Sequence, residues 1–189
     1  MTRFIDSKGK ILSLENSNII INNSKLVIGC LIKNKKIIII ESKKDKINNL
    51  INDFRTYKLH KNLIIGVTGL LGDCLFVMEQ VKKICREYER EFNSLIPESF
   101  LIQKISLLLH ELARFKDITL ACSIIILSTN SVYEINPIGT IEQKDYCGAI
   151  GKNATICKVL NVSFTSFSEF ITQVKNTFEN FEDFIISIN

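Results

Sequence analysis

A glycine-rich segment between a strand-like run and a helix-like run is the most suggestive candidate for chemistry in this chain. It reads Leu63-Ile64-Ile65-Gly66-Val67-Thr68-Gly69-Leu70-Leu71-Gly72-Asp73. Backbone N–H groups at such a turn can bind a pyrophosphate at a helix N-terminus. However, the third glycine of GxGxxG is missing, and the segment follows two hairpins instead of opening a βαβ unit. We therefore favour a tight strand-to-helix turn with Asp73 stabilised by the helix dipole. A small nucleotide-binding enzyme using the Gly66–Gly72 loop remains an alternative.

Other reactive side chains lack the spacing that metal or nucleophilic chemistry needs. His60 and His110 are isolated, so no metal site is predicted. No serine or cysteine lies in a nucleophile-elbow motif. The six cysteines form no CxxC pair, and most lie in apolar runs, which is typical of core residues in a reducing compartment. The sequence thus predicts no cofactor.

Length and charge narrow the class of protein. A chain of 189 residues suits a single domain, 1–189, with a full hydrophobic core. The net charge of +4 is small and its basic residues are scattered, so nucleic acid is not a predicted partner. The apolar runs are too short to span a membrane, and the polar first residues do not form a signal peptide.

The elements that must position the glycine-rich turn begin with two hairpins. Apolar runs at Leu26–Ile32 and Ile37–Ile40 are joined by a short lysine-rich turn. A second pair follows at Arg55–His60 and Leu63–Thr68. Because their apolarity is continuous rather than alternating, we expect these strands to be buried on both faces.

Two long helices are predicted next. The first spans about 70–91, and a second opens at Pro97, which suits the first helical turn. Apolar residues three and four apart define one buried stripe on each helix. The stripes are Leu71, Leu75, Met78, Val81, Cys85 and Tyr88 on the first helix, and Leu101, Ile105, Leu108 and Leu112 on the second.

The rest of the chain returns to strands, at Thr119–Leu127, Val132–Ile135 and between residues 139 and 150. A capping-box pattern at Ser166–Glu169 then opens a helix, and Phe184–Ile188 forms a last strand. Strands beside strands and helices beside helices do not fit a βαβ repeat. We therefore predict an α/β (α+β) fold, a four-layer α-β-β-α sandwich of two stacked antiparallel sheets flanked by helices.

Several segments in this order resemble the proteasome subunits, which have the N-terminal nucleophile hydrolase fold. The strand pair that ends in a TGL-x-x-D turn, here Thr68–Asp73, is the first of them. The others are similar to the family's central apolar strand, its DPxG turn and its AxG segment. They lie at Leu120–Leu127, Asn136–Gly139 and Gly148–Gly151. The resemblance implies the same α-β-β-α sandwich.

The resemblance also bears on catalysis. Active beta-type subunits expose a threonine nucleophile at the start of the first strand. Aligning Gly29 with the glycine of that strand places the nucleophile position near Lys25, which cannot act as that hydroxyl. We therefore expect a noncatalytic subunit and no enzyme activity. An inactive beta-type subunit remains an alternative.

The N-terminal residues are similar to the leader of alpha-type subunits. In Ile5–Ser17 the matching positions include Gly9, Leu14 and Glu15, and Gly9 lies 20 residues before Gly29 (29 − 9 = 20). The resemblance implies that residues 1–25 form a leader with a helix that packs across the ring. It also implies ring-interface roles for Gly9, Leu14, Glu15 and Asp73. The Y-D-R element that usually precedes this leader is missing.

These features imply a structural subunit in a heteroheptameric alpha ring of the core particle, with other alpha and beta subunits as partners. The ring would control substrate access and receive a regulatory particle or activator during ubiquitin-linked protein degradation. Arg55 and Lys58 are the nearest counterparts of the lysine that receives activator tails. The implied location is the cytoplasm and nucleus.

Overall fold

The computed structural model describes residues 11–33, 35–41, 55–60, 63–115, 118–155, 164, 166–177 and 184–188. Four helices and nine strands are defined there. The helices are α1 (Leu12–Asn22), α2 (Leu71–Phe92), α3 (Glu98–Phe115) and α4 (Phe167–Thr177). The strands are β1 (Val27–Ile32), β2 (Lys35–Glu41), β3 (Thr56–His60), β4 (Leu63–Gly69), β5 (Cys122–Leu127), β6 (Val132–Ile135), β7 (Ile141–Lys144), β8 (Cys147–Ile150) and β9 (Phe184–Ile188).

The strands form two antiparallel sheets. A four-stranded sheet has the order β8-β1-β2-β9, and a five-stranded sheet has the order β3-β4-β5-β6-β7. Gly29 of β1 lies opposite Ile38 on one side and Gly148 on the other. Gly66 of β4 lies opposite Ile125 of β5. On its other side Gly66 lies opposite Thr56 of β3, so the strands of both predicted hairpins are paired.

Three apolar clusters divide the molecule into four layers. The first joins α2 and α3 to one face of the five-stranded sheet. The second lies between the two sheets and contains Ile38, Ile64 and Ile125. The third joins the outer face of the four-stranded sheet to α4 through Phe170 and Val174. This arrangement is an α-β-β-α sandwich, which confirms the predicted fold.

Successive side chains of β1 and β5 face opposite sides of their sheets, which explains why these two strands are apolar along nearly their whole length. Even-numbered residues of β1, such as Ile28, face α4, whereas Val27 faces the other sheet. In β5, Ile124 and Ile126 face α2 and α3, whereas Ile125 faces the four-stranded sheet. Strands β1 and β5 thus bury both faces, as period-two geometry requires where a sheet is covered on both sides.

The predicted stripe of α2 was wrong at its N-terminal end. Leu71 and Leu75 are 47% and 39% exposed. The buried face instead consists of Cys74, Val77, Met78, Val81 and Cys85. At this end of the helix the buried face passes through Cys74 and Val77, which the predicted stripe did not include. Packing in the core therefore does not explain why positions 71 and 75 carry leucine.

Smaller differences occur in the following elements. On α3 the buried stripe passes through Leu109 and Leu108 is half-buried. Strand β5 begins at Cys122 and not at Thr119. The predicted cap of α4 is present, because Ser166 Oγ accepts a hydrogen bond of 3.2 Å from the Glu169 N–H. The turn at Asn136 is also present, with its Oδ1 accepting from the Thr140 N–H at 2.8 Å.

Candidate functional site

The glycine-rich turn between β4 and α2 is fixed to the segment that leads into β5. Gly69 has a φ of +132°, and a Cβ there would lie 1.9 Å from the Ala121 carbonyl oxygen. The Leu70 N–H donates to that same oxygen at 2.8 Å. Asp73 Oδ2 accepts from the Ala121 N–H at 2.7 Å. The aspartate predicted at a helix start therefore binds a backbone amide of another element.

This geometry does not suit a pyrophosphate. The Asp73 carboxylate lies in the first turn of α2, where it would repel an anion. The Leu70 N–H, which could otherwise face a phosphate, is bonded to Ala121. Strand β4 is antiparallel to both of its neighbours, so it is not part of a parallel βαβ unit. The contacts argue against the nucleotide-binding alternative.

Arg55 and Lys58 occupy different environments on the edge of the five-stranded sheet. The Arg55 guanidinium donates to the Gly69 carbonyl oxygen from two nitrogens, each at 3.5 Å. The Arg55 carbonyl oxygen accepts from the Val67 N–H at 2.8 Å. Lys58 lies in the edge strand β3, and its side chain is exposed. The structure places both cations on one edge, with Arg55 next to the turn.

The position just before β1 lies within a continuous, hydrogen-bonded backbone. Thr68 Oγ1 donates to the Lys25 carbonyl oxygen at 2.5 Å. The preceding residue, Ser24, accepts at its carbonyl from the Lys152 N–H at 3.1 Å. Thr68 is fully buried. The chain thus enters β1 directly from α1, with Lys25 bound through its main chain at the end of the sandwich.

Helix α1 packs on the segment that precedes β5. Ser17 is buried, and its Oγ donates to the Thr119 carbonyl oxygen at 3.1 Å. Ser13 Oγ and Thr119 Oγ1 are 3.2 Å apart. Leu14 and Glu15, the predicted interface residues, are half-buried in this helix. Gly9, also predicted for the interface, lies outside the described residues.

Two buried thiols lie behind the turn. Cys74 and Cys122 have exposed fractions of 1% and 0%. A hydrogen bond with Cys122 lowers the pKa of the Cys74 thiol. The same hydrogen bond, together with burial, raises the pKa of the Cys122 thiol. Their burial keeps both sulfurs away from any substrate in solution, as expected for structural cysteines.

Glu134 is a residue that sequence reasoning missed. It lies in β6 opposite Glu142, and its Oε1 accepts from the Ala149 N–H of the other sheet at 2.8 Å. Burial raises the pKa of this carboxyl group. The signal available in the sequence was a single charged residue within the short β-like run Val132–Ile135, and nothing local indicated that it faces inward.

Metal-ligand clusters and membrane spans are both absent from the described ranges. No group of three or more histidine, cysteine, aspartate or glutamate side chains there could hold a metal ion. Among those same residues, no helix combines the length and apolar character that crossing a bilayer requires. The candidate site consists of the backbone contacts around the Gly69 turn and of the Glu134 carboxylate that bridges the sheets.

Comparison with known families identifies this architecture. The family model described as proteasome subunit matches residues 21–165, which is most of the chain and includes β1 to β8. The chain belongs to the proteasome subunit family. A search of curated proteins finds no match.

Membership of the proteasome subunit family implies assembly with other proteasome subunits. The family includes catalytic and inactive members, so membership alone fixes neither the ring nor the presence of activity. The matched region contains β1, the Gly69 turn, Arg55, Lys58 and Asp73. The contacts around the start of β1 are therefore the ones that bear on the subunit's role.

Proposed function

We propose that this protein is a noncatalytic structural subunit of the alpha ring of the proteasome core particle. The observation that carries the proposal is the entry of the chain into β1. The residue before Leu26 is Lys25, whose side chain has no hydroxyl, and its carbonyl oxygen accepts a hydrogen bond from Thr68 Oγ1. Threonine catalysis needs a hydroxyl and a free α-amino group at that place.

Helix α1 supports an alpha-type assignment. It precedes β1 directly, and Ser17 anchors it to Thr119 beside the end of both sheets. In this position it covers the end of the sandwich at which Lys25, Thr68 and Ala121 meet. The leader resemblance at Ile5–Ser17 points in the same direction. A helix that covers this end suits a structural role better than the binding of a peptide substrate.

Exposed apolar residues support assembly into a ring. We call Leu12, Leu70, Leu71 and Ile118 the apolar rim; they are 42%, 52%, 47% and 48% exposed. Their neighbours Ser13, Thr119 and Ala121 are in contact with each other or with the Gly69 turn, which places the rim around one segment. Clustered exposed leucine and isoleucine side chains are typical of protein–protein interfaces. The proposed occupant is a neighbouring proteasome subunit.

The proposal extends to activator docking and location. Lys58 lies in the edge strand β3 and Arg55 directly precedes that strand, where a cation could pair with the C-terminal carboxylate of an activator. Of the two, Lys58 has the more exposed side chain. We infer that the subunit acts in ubiquitin-linked protein degradation in the cytoplasm and nucleus. It would help to control substrate access.

Native mass spectrometry of the protein purified from its source tests the proposal. We expect recovery in a particle with other alpha and beta subunits, and crosslinks to outer-ring neighbours and activator. Recovery as a free monomer would contradict a structural ring role. Crosslinks confined to the midplane of the particle would favour the inactive beta-type alternative.

A second measurement addresses catalysis. An electrophilic peptide probe directed at N-terminal threonines should label catalytic subunits of the particle and leave this chain unmodified. Labelling of this chain at a processed threonine would overturn the noncatalytic assignment. The labelled catalytic subunits in the same sample serve as the positive control.

A further inference from the structure

A cleft of about 230 Å³ lies between α1 and the ends of the two sheets. Asn18 and Asn22 of α1 form one wall, and Ser123, Glu134 and Ala149 form the other. Glu142 and Thr140 lie at its edge. Among the described residues that line it, none is a lysine, arginine or histidine. The lining therefore offers carboxylate, amide and hydroxyl groups without a positive charge.

Ser123 provides a hydroxyl that the fold itself does not use. It occupies the position of β5 whose side chain points between the sheets, as Ile125 and Leu127 do farther along the strand. It is 7% exposed and lines the cleft. No hydrogen bond among the described residues engages its Oγ. This hydroxyl is therefore a group of β5 that a polar ligand in the cleft can reach.

Glu134 provides a carboxylate that lines the same cleft and is held in place by a hydrogen bond. Its Oε1 accepts from the Ala149 N–H at 2.8 Å, which fixes the side chain across the gap between the sheets. Gly148 makes this approach possible, because a Cβ there would lie 2.6 Å from Oε1. The site therefore combines residues of both sheets, and a hydrogen bond between the sheets holds its carboxylate.

The charges near Glu134 leave its own charge incompletely balanced. On β7, the Lys144 ammonium contacts Glu142 directly and is only a secondary influence on Glu134. The Ala149 N–H of β8 donates to the carboxylate. Helix α1 contributes two neutral side chains, Asn18 and Asn22, to the lining of the cleft. Burial disfavours the ionised carboxylate, and a cation bound in the cleft would relieve that cost.

We propose that this cleft binds an alkylammonium or guanidinium group, with Glu134 as the counter-ion and Ser123 as a hydrogen-bond acceptor. A guanidinium has donors in a planar fork, which can reach a carboxylate and a hydroxyl oxygen together. The group could belong to a free amine or to a lysine or arginine of a neighbouring subunit. The site is separate from the Gly69 turn and from the apolar rim.

Titration of the full chain with agmatine at pH 7.5, followed by backbone amide chemical shifts, tests the site. We expect saturable shifts at Ala149 and Gly151. Glu134→Gln should weaken binding about tenfold while keeping an oxygen for the Ala149 N–H. Ser123→Ala should weaken it about threefold without loss of thermal stability, because it removes no internal hydrogen bond.

Two controls make the outcome decisive. Glu111→Gln removes an exposed carboxylate from α3 and should leave binding unchanged. N-butylurea, a neutral analogue of similar length, should not shift the cleft resonances. Equal binding of agmatine to wild type, Glu134→Gln and Ser123→Ala would overturn the proposal, as would binding of N-butylurea with the same affinity.

The same titration on the assembled particle distinguishes the two sources of the group. Agmatine binding that persists in the particle supports a free amine as ligand. Binding that is seen with the isolated chain but lost in the particle supports a neighbouring subunit's side chain. Absence of binding to the isolated chain overturns the site whether or not the ring assignment holds.

Discussion

The Glu134 side chain joins the two sheets, and burial of its carboxylate has a desolvation cost. The Ala149 N–H lies at an edge of the four-stranded sheet, where no further strand of the described chain pairs with it. The carboxylate satisfies that donor, but burial opposes its ionisation. A glutamine could make the same hydrogen bond without a charge. The presence of a charged group is therefore not explained by stability, and it suits the binding role proposed for the cleft.

The first prediction concerns the pH dependence of this residue. Burial raises the pKa of Glu134 above its ordinary value of 4.5, so the folded protein holds the proton more tightly than the unfolded chain. The stability it contributes is fully present below pH 4.5 and is lost as pH rises through the folded-state pKa. Glu134→Gln should therefore melt at a higher temperature than wild type at about pH 7, and this advantage should shrink as the pH falls.

Thermal unfolding of both proteins between about pH 4 and pH 8 measures the effect. Glu111→Gln, which removes an exposed carboxylate, is the matched control and should show little change across the range. A Glu134→Gln protein that is less stable than wild type at neutral pH would show that the carboxylate stabilises the fold.

At the scale of elements, the turn between β4 and α2 connects the helical layer to the five-stranded sheet. It has no side-chain N-cap on α2, because Leu70 occupies the cap position. Instead, Asp73 and the Leu70 N–H both bind the backbone of Ala121. The helix start is therefore fixed by a neighbouring segment and not by its own cap.

The second prediction compares two glycines of this turn. Gly69→Ala should destabilise the protein by at least about 2 kcal/mol, because φ is +132° and the new Cβ would meet the Ala121 carbonyl. Gly72→Ala should be neutral or stabilising by up to about 1 kcal/mol, because Gly72 lies within α2 and a Cβ added there would have no atom within 4 Å. Urea unfolding of the two variants gives both values. Similar losses at the two positions would contradict the close packing of Gly69 on Ala121.

At the scale of the whole molecule, the balance between core and surface indicates a protein that functions in an assembly. The three apolar clusters fill the spaces between four layers, yet the apolar rim remains outside them. Leu71 is 47% exposed although its helix has a well-formed buried face. A rim of this kind is costly in water unless a partner covers it.

The third prediction uses that exposure. Leu71→Glu should abolish or strongly reduce co-assembly with other proteasome subunits, because it places a charge in an apolar interface. It should leave the monomer folded, because a glutamate in the first turn of α2 is favoured by the helix dipole. Leu107→Glu on α3 makes the same change at a residue that is 48% exposed and should assemble normally. Size-exclusion chromatography of co-expressed subunits measures both. Equal assembly of the two variants would remove Leu71 from the interface.

The sequence by itself determined the fold class and the order of the elements. Continuous apolar runs such as Ile37–Ile40 required strands buried on both faces, and helical spacing required two long amphipathic helices. The glycine turn before Asp73 and the lysine at position 25 could also be recognised locally. These features depend on residues close together in the chain, and local periodicity reports on them directly.

Only the tertiary structure decided which groups meet across the sandwich. The contacts of Asp73 with Ala121, Thr68 with Lys25, and Glu134 with Ala149 join positions 48, 43 and 15 residues apart. Periodicity carries no information about such pairs, because they depend on how the sheets stack and where each strand ends. The same holds for Leu71, whose exposure depends on which face of α2 packs against α3 and the five-stranded sheet.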